Sequence, residues 1–343
     1  MPVQCTEEQE QVIAKTKVCI VGAGAIGGWI GAYLGHRLAN EVELSVFARG
    51  ATLAALREHG LRLDTPAGER LQVAVKASDM AQDLGPQDLV VVAVKGPALA
   101  AVAPAVKALL GPETRVLVAM NGVPWWFFDG LPGPCQGLQL ESVDPGGVVR
   151  SLIPTERVIG SVVHASCATP EPGLVRHVMG MGLILGAPDG GRPAHVEQLL
   201  ALLQRAGFEA TLSERIQRDI WFKLWGNMTM NPISALTGAT CDRILDDELV
   251  RSFVTNVMLE AAEIGSRIGC AVEQTPKQRH VVTRKLGAFK TSMLQDVEAG
   301  RTIELQALVG AVREIAQRLA LATPFTDALL GLTRLMAQTR GLL

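Results

Sequence analysis

A short apolar run, Lys17-Val18-Cys19-Ile20-Val21, leads directly into Gly22-Ala23-Gly24-Ala25-Ile26-Gly27, a G-x-G-x-x-G. Small residues then continue to about Leu38. The run reads as a buried parallel strand and the small residues as a helix. This order constrains the fold strongly, because each glycine has its own work. The first permits a tight turn, the second lets backbone approach a pyrophosphate, and the third lets helix and strand pack closely. Phosphates would rest on the free N–H groups at the helix start, with Gly22, Ala23, Gly24, Ala25, Ile26 and Gly27 as cofactor-binding residues. The glycines also dispose of a membrane reading. Val18 to Gly35 is 18 residues without a charge, near a spanning length, but six of them are glycine.

The following strands extend the same platform. Glu43 to Ala48 reads as the second strand and ends in Arg49-Gly50, with no carboxylate to meet ribose hydroxyls. An arginine there can pair bidentately with a 2′-phosphate, so NADPH is expected over NADH. Leu89–Val94 ends in Lys95, and Arg115–Met120 ends in Asn121-Gly122. Both polar residues fall just past a strand's C-terminal end, where ligands bind in open α/β sheets. Lys95 could hold a phosphate or a substrate carboxylate. Asn121 could bond ribose, nicotinamide or substrate. Trp125-Trp126-Phe127-Phe128 comes next, four aromatics in a chain that is only 4% aromatic. They could wall a pocket, form an interface or fill a core. Val158–Val163 and Gly182–Gly186 read as two closing strands, with a turn at Pro170-Glu171-Pro172-Gly173 and antiparallel, hairpin-like pairing.

At 343 residues two domains are expected, since domains run to roughly 150 residues each. Gly186-Ala187-Pro188-Asp189-Gly190-Gly191-Arg192-Pro193 is the strongest punctuation. It sets an N-terminal extension at 1–16, a Rossmann domain at 17–188 and a helical domain at 189–343. His195–Ala206 reads as one helix and Ser213–Met230 as another. Lys223, Asn227 and Asn231 recur every four residues and share a face of the second. Asn231-Pro232 is expected to end or kink it. A clean apolar stripe (Leu305, Leu308, Val309, Val312, Ala316, Leu319) predicts a helix with Glu304 in its first turn, and Ser292 reads as an N-cap candidate.

Composition excludes several classes. The chain is 48% hydrophobic and 19% charged, enough for large cores, and its net charge of −2 gives no support for binding nucleic acid or anionic membrane. The one tyrosine, Tyr33, is followed four residues later by Arg37, not Lys. That removes dehydrogenases whose acid is a Tyr with Lys at that spacing. Cys5, Cys19, Cys135, Cys167, Cys241 and Cys270 are scattered, without metal-ligand spacing, so no metal is expected. They read as mostly buried, reduced thiols of a cytoplasmic protein. The first 17 residues carry no apolar signal core.

Taken together, these blocks resemble the 2-dehydropantoate 2-reductase (ketopantoate reductase) family. They are G-A-G-A-I-G, A-R-G, V-K-G-P, N-G-V, E-P-G-L-V-R-H, W-x-K-L-x-x-N-x-x-x-N-P-I-S-A-L, T-S-M-L-Q-D and R-T-I-E, in the family's order over about residues 17–325. The resemblance implies an α/β fold, with an N-terminal Rossmann-type NADP-binding domain, an all-helical C-terminal domain and the active site in the cleft. It implies NADPH-dependent reduction of a 2-oxo acid to a 2-hydroxy acid, here 2-dehydropantoate to pantoate in pantothenate biosynthesis. Lys223 would be the general acid. Glu304 would contact a substrate hydroxyl and lie beside the cofactor. Asn227, Asn231 and Ser292 would position substrate, and Lys95 and Asn121 would sit near cofactor and substrate. The aromatic block is bulkier than the family pattern, so a different 2-oxo acid is the alternative substrate. A silent NADP(H)-binding sensor is the alternative from another class. The helical half offers apolar faces suited to a homodimer.

Overall fold

The structure is a computed structural model that describes residues 14–343. The extension expected at 1–16 falls almost wholly outside the described residues, as does Cys5. One sheet organises the N-terminal part. Its strands are β1 (Thr16–Val21), β2 (Val42–Phe47), β3 (Leu61–Asp64), β4 (Arg70–Val73), β5 (Lys76–Ser78), β6 (Gln87–Val92), β7 (Leu110–Val118), β8 (Val158–Glu171), β9 (Leu174–Gly186) and β10 (Glu209–Leu212). Spatial order is β4-β3-β9-β8-β7-β6-β1-β2-β5, with β10 on β9. The run β5-β2-β1-β6-β7-β8 is parallel throughout, the doubly wound order of a dinucleotide-binding sheet. Parallel strands are buried on both faces, which is why Val18–Val21 and Val90–Val92 are uninterrupted apolar runs with no exposed surface. β8 and β9 pair antiparallel through the expected turn at Gly173, whose φ is +72°.

The helices of this part are α1 (Ala25–Arg37), α2 (Gly50–His59), α3 (Ala81–Leu84), α4 (Leu99–Ala108), α5 (Val148–Leu152) and α6 (Ala194–Arg205). The expected boundary at 188/189 falls inside the sheet layer. β10 pairs parallel with β9, and Val196, Leu199 and Leu203 of α6 join the core over the sheet. The Gly/Pro stretch is therefore a turn into one more α–β unit, and the purely helical part begins after Leu212. It holds α7 (Ile216–Thr237), α8 (Cys241–Asp246), α9 (Glu248–Arg267), α10 (Pro276–Arg284), α11 (Ser292–Glu298), α12 (Ala311–Arg318) and α13 (Pro324–Thr339). A π turn at Gln306–Gly310 runs straight into α12. Among the described residues no helix is long and apolar enough to cross a membrane.

Helix α7 departs from expectation at Pro232. It continues through the proline for another turn and stops at Gly238, φ +71°. Proline removes one hydrogen bond, but this helix is buried on nearly every side from Ile220 to Ala235. Packing on that scale outweighs a local loss of about 3 kcal/mol.

Trp125, Trp126, Phe127 and Phe128 are all at most 3% exposed. Phe127 lies 5.0 Å from Phe128 and 6.2 Å from Trp221 of α7. Gly160 leaves room for the Trp126 ring, since a Cβ there would stand 2.4 Å from it. The block is core that joins the sheet to α7. At roughly 1.5–3 kcal/mol per buried large side chain, it fastens the two halves together.

Candidate functional site

The glycine turn has the three expected geometries. Gly22 holds φ +97°, and a Cβ there would meet Val94 at 2.7 Å. A Cβ on Gly27 would lie 2.2 Å from the Gly22 carbonyl, so strand and helix approach only without it. A Cβ on Gly24 would meet nothing within 4 Å. That glycine opens outward, and as N-cap of α1 it leaves the first N–H groups with no side-chain cap. Arg49 follows β2, exposed, its guanidinium 5.3 Å from the Phe47 ring centroid.

The rotation of α7 aims the lysine. Trp221 and Trp225 each donate an indole N–H to α9, to the carbonyls of Ala261 (3.2 Å) and Met258 (2.7 Å). Lys223 and Asn227 each lie two residues further on, about 200° around the helix. They therefore face away from α9, toward the C-terminal end of β7 and the middle of β8. Lys223 Nζ donates to Asn121 Oδ1 at 2.9 Å and to the Val163 carbonyl at 2.6 Å. Asn121, Gly122, Ser161, Lys223, Leu224 and Asn227 line one small cavity. Burial pulls Lys223 down to about 8, and the nearby charge of Glu304 partly offsets that.

Glu304 immediately precedes the helical run rather than lying within it, and its Oε1 accepts from the Gly96 N–H at 3.0 Å. Burial raises its carboxyl above the usual range, against the Gly96 bond and the charges of Lys95 and Lys223. Lys95 is not free for a phosphate: its Nζ pairs with Asp296 Oδ1 at 2.7 Å and donates to the Thr302 carbonyl at 3.2 Å. The Val123 N–H donates to the Ala307 carbonyl at 2.9 Å, inside the π turn. Such turns displace the helical ladder and are frequent at functional sites. Four bonds, from Lys95, Gly96 and Val123, thus hold the ends of β6 and β7 to residues 296–307.

Asn231 lies on α7 with 7% exposure, two turns beyond Lys223. Ser292 is exposed and is not the cap of α11. Thr291 caps it, its side chain accepting from Leu294 N–H. The cap falls one residue early because Thr291 also reaches Ser234 Oγ at 3.1 Å, inside the core. Residue types alone did not point to the Val163 carbonyl, the Gly96 N–H, Asp296 or Ala307. Three act through backbone, which carries no signature in the sequence, and Asp296 is recognisable only once Lys95 is beside it.

Two family models match the chain: "Ketopantoate reductase PanE/ApbA" over residues 18–125, and its C-terminal counterpart over 215–337. A 2-dehydropantoate 2-reductase of Mesorhizobium japonicum is 44% identical over 325 residues, 95% of this chain and 99% of its own length. The chain belongs to the ketopantoate reductase family. A structure from Ralstonia solanacearum MolK2, itself provisionally assigned to ketopantoate reductases, superposes with a TM-score of 0.92 at 57% identity, covering 96% of this chain and 100% of that one. A PanE/ApbA family ketopantoate reductase from Ralstonia eutropha JMP134 gives 0.81 at 26% identity, covering 95% and 100%. The second family model begins just after β10, where the sheet ends and the helices take over.

Proposed function

We propose that this protein reduces 2-dehydropantoate to pantoate with NADPH. The observation that carries the reading is a lysine held at the ligand-facing end of a dinucleotide-binding sheet, 2.9 Å from Asn121 and near the charge of the partly buried Glu304. Hydride addition to a ketone develops negative charge on oxygen, and a protonated lysine within hydrogen-bond reach stabilises that charge and delivers the proton. Asn121 and the Val163 carbonyl orient the ammonium. Glu304 would accept a hydrogen bond from a substrate hydroxyl, and Asn227, Asn231 and Ser292 would position the rest.

The residues fit NADPH. Gly24 leaves open space at an uncapped helix start, which suits a pyrophosphate, and Arg49 stands where a carboxylate would select NADH. The nicotinamide, when bound, supplies the hydride. Lys95 would serve by holding Asp296 and Thr302, and through them the Glu304 segment, at the cofactor end of β6. The alternative substrate rested on the aromatic block walling the pocket. Those four side chains lie in the core and none lines the cavity. A homodimer is also proposed, supported by the exposed Leu249, Leu332 and Leu335 on α9 and α13. Sedimentation at micromolar concentration decides it.

The direct test is NADPH oxidation against 2-dehydropantoate and a panel of other 2-oxo acids. A higher kcat/KM for another acid would replace the substrate, and NADPH binding without oxidation of any would remove the activity. Arg49→Ala should weaken NADPH by about 10-fold or more, the scale of one lost charge-assisted pair, and NADH hardly at all. Equal losses would show that Arg49 does not read the 2′-phosphate. The pH profile has a definite sign. Only protonated Lys223 can donate, and its pKa is lowered to about 8. The kcat/KM for reduction at saturating NADPH should therefore fall about tenfold per unit above pH 8, while oxidation of the 2-hydroxy acid rises. A flat profile from about pH 7 to 10 would rule out Lys223 as donor.

A further inference from the structure

A 2-oxo acid brings a carboxylate next to the carbonyl, and that anion needs a partner inside the cleft. Two cations described above are already engaged. Lys95 is paired with Asp296, which Arg301 also meets at 3.1 Å, and Lys223 is held by Asn121 and the Val163 carbonyl. Ser292 is exposed at the start of α11. Arg279, on α10, is different. Its guanidinium lies over the Phe222 ring, 5.1 Å from the centroid, and crosses α7 at Gly226. A Cβ on Gly226 would stand 2.8 Å from Nη2 and 3.1 Å from Nε, so the glycine is what admits the arginine. Phe222 and Gly226 flank Lys223 and Asn227 in the helix, which brings the guanidinium beside the catalytic face.

Arg279 has no acidic partner among the described residues. Its Nε is buried without a hydrogen-bond acceptor, and its basicity is lowered by burial with no neighbouring carboxylate to offset it. A half-buried guanidinium without a counter-ion is costly, and most such groups are paired. His164, next to Val163 on β8, feels both cations. Partial burial, then Lys223 and Arg279, hold its imidazole below the usual histidine range. Arg279, on α10, thus lies against Phe222 and Gly226, beside the face of α7 that carries Lys223. Helix α10 is anchored at both ends. Thr275 and Gln278 close a capping box at its start, and Arg284 Nη2 donates to the Leu245 carbonyl at 2.9 Å at its end.

We propose that Arg279 binds the carboxylate of the 2-oxo acid, placing the carbonyl oxygen on Lys223. The proposal deepens the reading given above and rests on it. Guanidinium matches carboxylate bidentately, so one residue would both neutralise the anion and fix its plane.

The test uses the full chain, loaded with NADP+ for calorimetry and supplied with NADPH for turnover, with 2-oxoisovalerate and its uncharged methyl ester as probes. Arg279→Gln should weaken 2-oxoisovalerate about 10-fold or more and raise its KM more than it lowers kcat, with the ester and NADPH unaffected. Arg279→Lys, which keeps charge without the fork, should recover part of the acid's affinity. Unchanged acid affinity in Arg279→Gln, or equal losses for acid and ester, would overturn the assignment, the second showing that the arginine only packs on Phe222. No acid binding by the wild-type protein would overturn it as well. Failure of the reductase reading looks different: the wild-type protein would bind the acid in an Arg279-dependent way yet oxidise no NADPH.

Discussion

Lys223→Ala is expected to lower kcat for reduction by at least ~10²-fold, the low end for a general acid. Two effects add. The proton donor is lost, and the Asn121 carboxamide and the Val163 carbonyl lose the ammonium that bonds them at 2.9 and 2.6 Å. The second effect is structural and costs about 1–3 kcal/mol if water does not replace the bond. Lys223→Met loses both as well but keeps the packing of the aliphatic stem, so an equal fall in its kcat excludes the cavity left by alanine as the cause. Both variants should bind NADPH as the wild type does, since Lys223 lies on α7 and the proposed phosphate cradle at the start of α1. Near-wild-type turnover in either would sink the mechanism. Loss of NADPH binding in both would mean that the residue holds the cofactor instead.

Gly122→Ala is the second large effect. Gly122 has φ +84°, and its missing Cβ would fall 2.6 Å from the Ala307 carbonyl and 2.7 Å from the Ala307 Cβ. An alanine there meets a left-handed backbone and a clash with backbone on another element. The strain is of order 1–3 kcal/mol, enough to break the bond from Val123 N–H to Ala307. Asn121 precedes this residue and Glu304 lies three before Ala307, so the two sides of the site would separate. We expect kcat to fall about 10- to 100-fold, with a smaller loss of thermal stability. Ala307→Ser is the control, changing the contact while leaving the turn carbonyl in place. A Gly122→Ala protein with unchanged kcat would show that this contact does not set the catalytic geometry.

Legibility in the sequence followed locality. The strand–glycine–helix unit was readable because its requirements are met within a dozen residues, and so was Arg49 at the end of β2. Lys223 and Asn227 were readable as a shared face, but Lys223 gains its role only from Asn121, 102 residues away, and from Val163. The aromatic block shows the limit. Its composition suits a pocket wall and a core equally, and the placement of Trp221 on α7 decides for the core. Pro232 shows another, because local rules ended a helix that burial on nearly all sides carried through.

The chain by itself determined the strand–glycine–helix platform, and its local spacings single out the glycines proposed to cradle phosphate, the arginine proposed to meet a 2′-phosphate and the residue types proposed for the reaction. Those depend on backbone conformations and side-chain spacings set by near neighbours. Only the tertiary structure decided that Lys95 is paired with Asp296, that α6 and β10 extend the sheet, that Ser292 is exposed, and that Arg279 lies across Gly226 without a counter-ion among the described residues. The reason is physical. Whether a charge is free or neutralised depends on which distant segment packs against it, and that pairing leaves no periodicity to read.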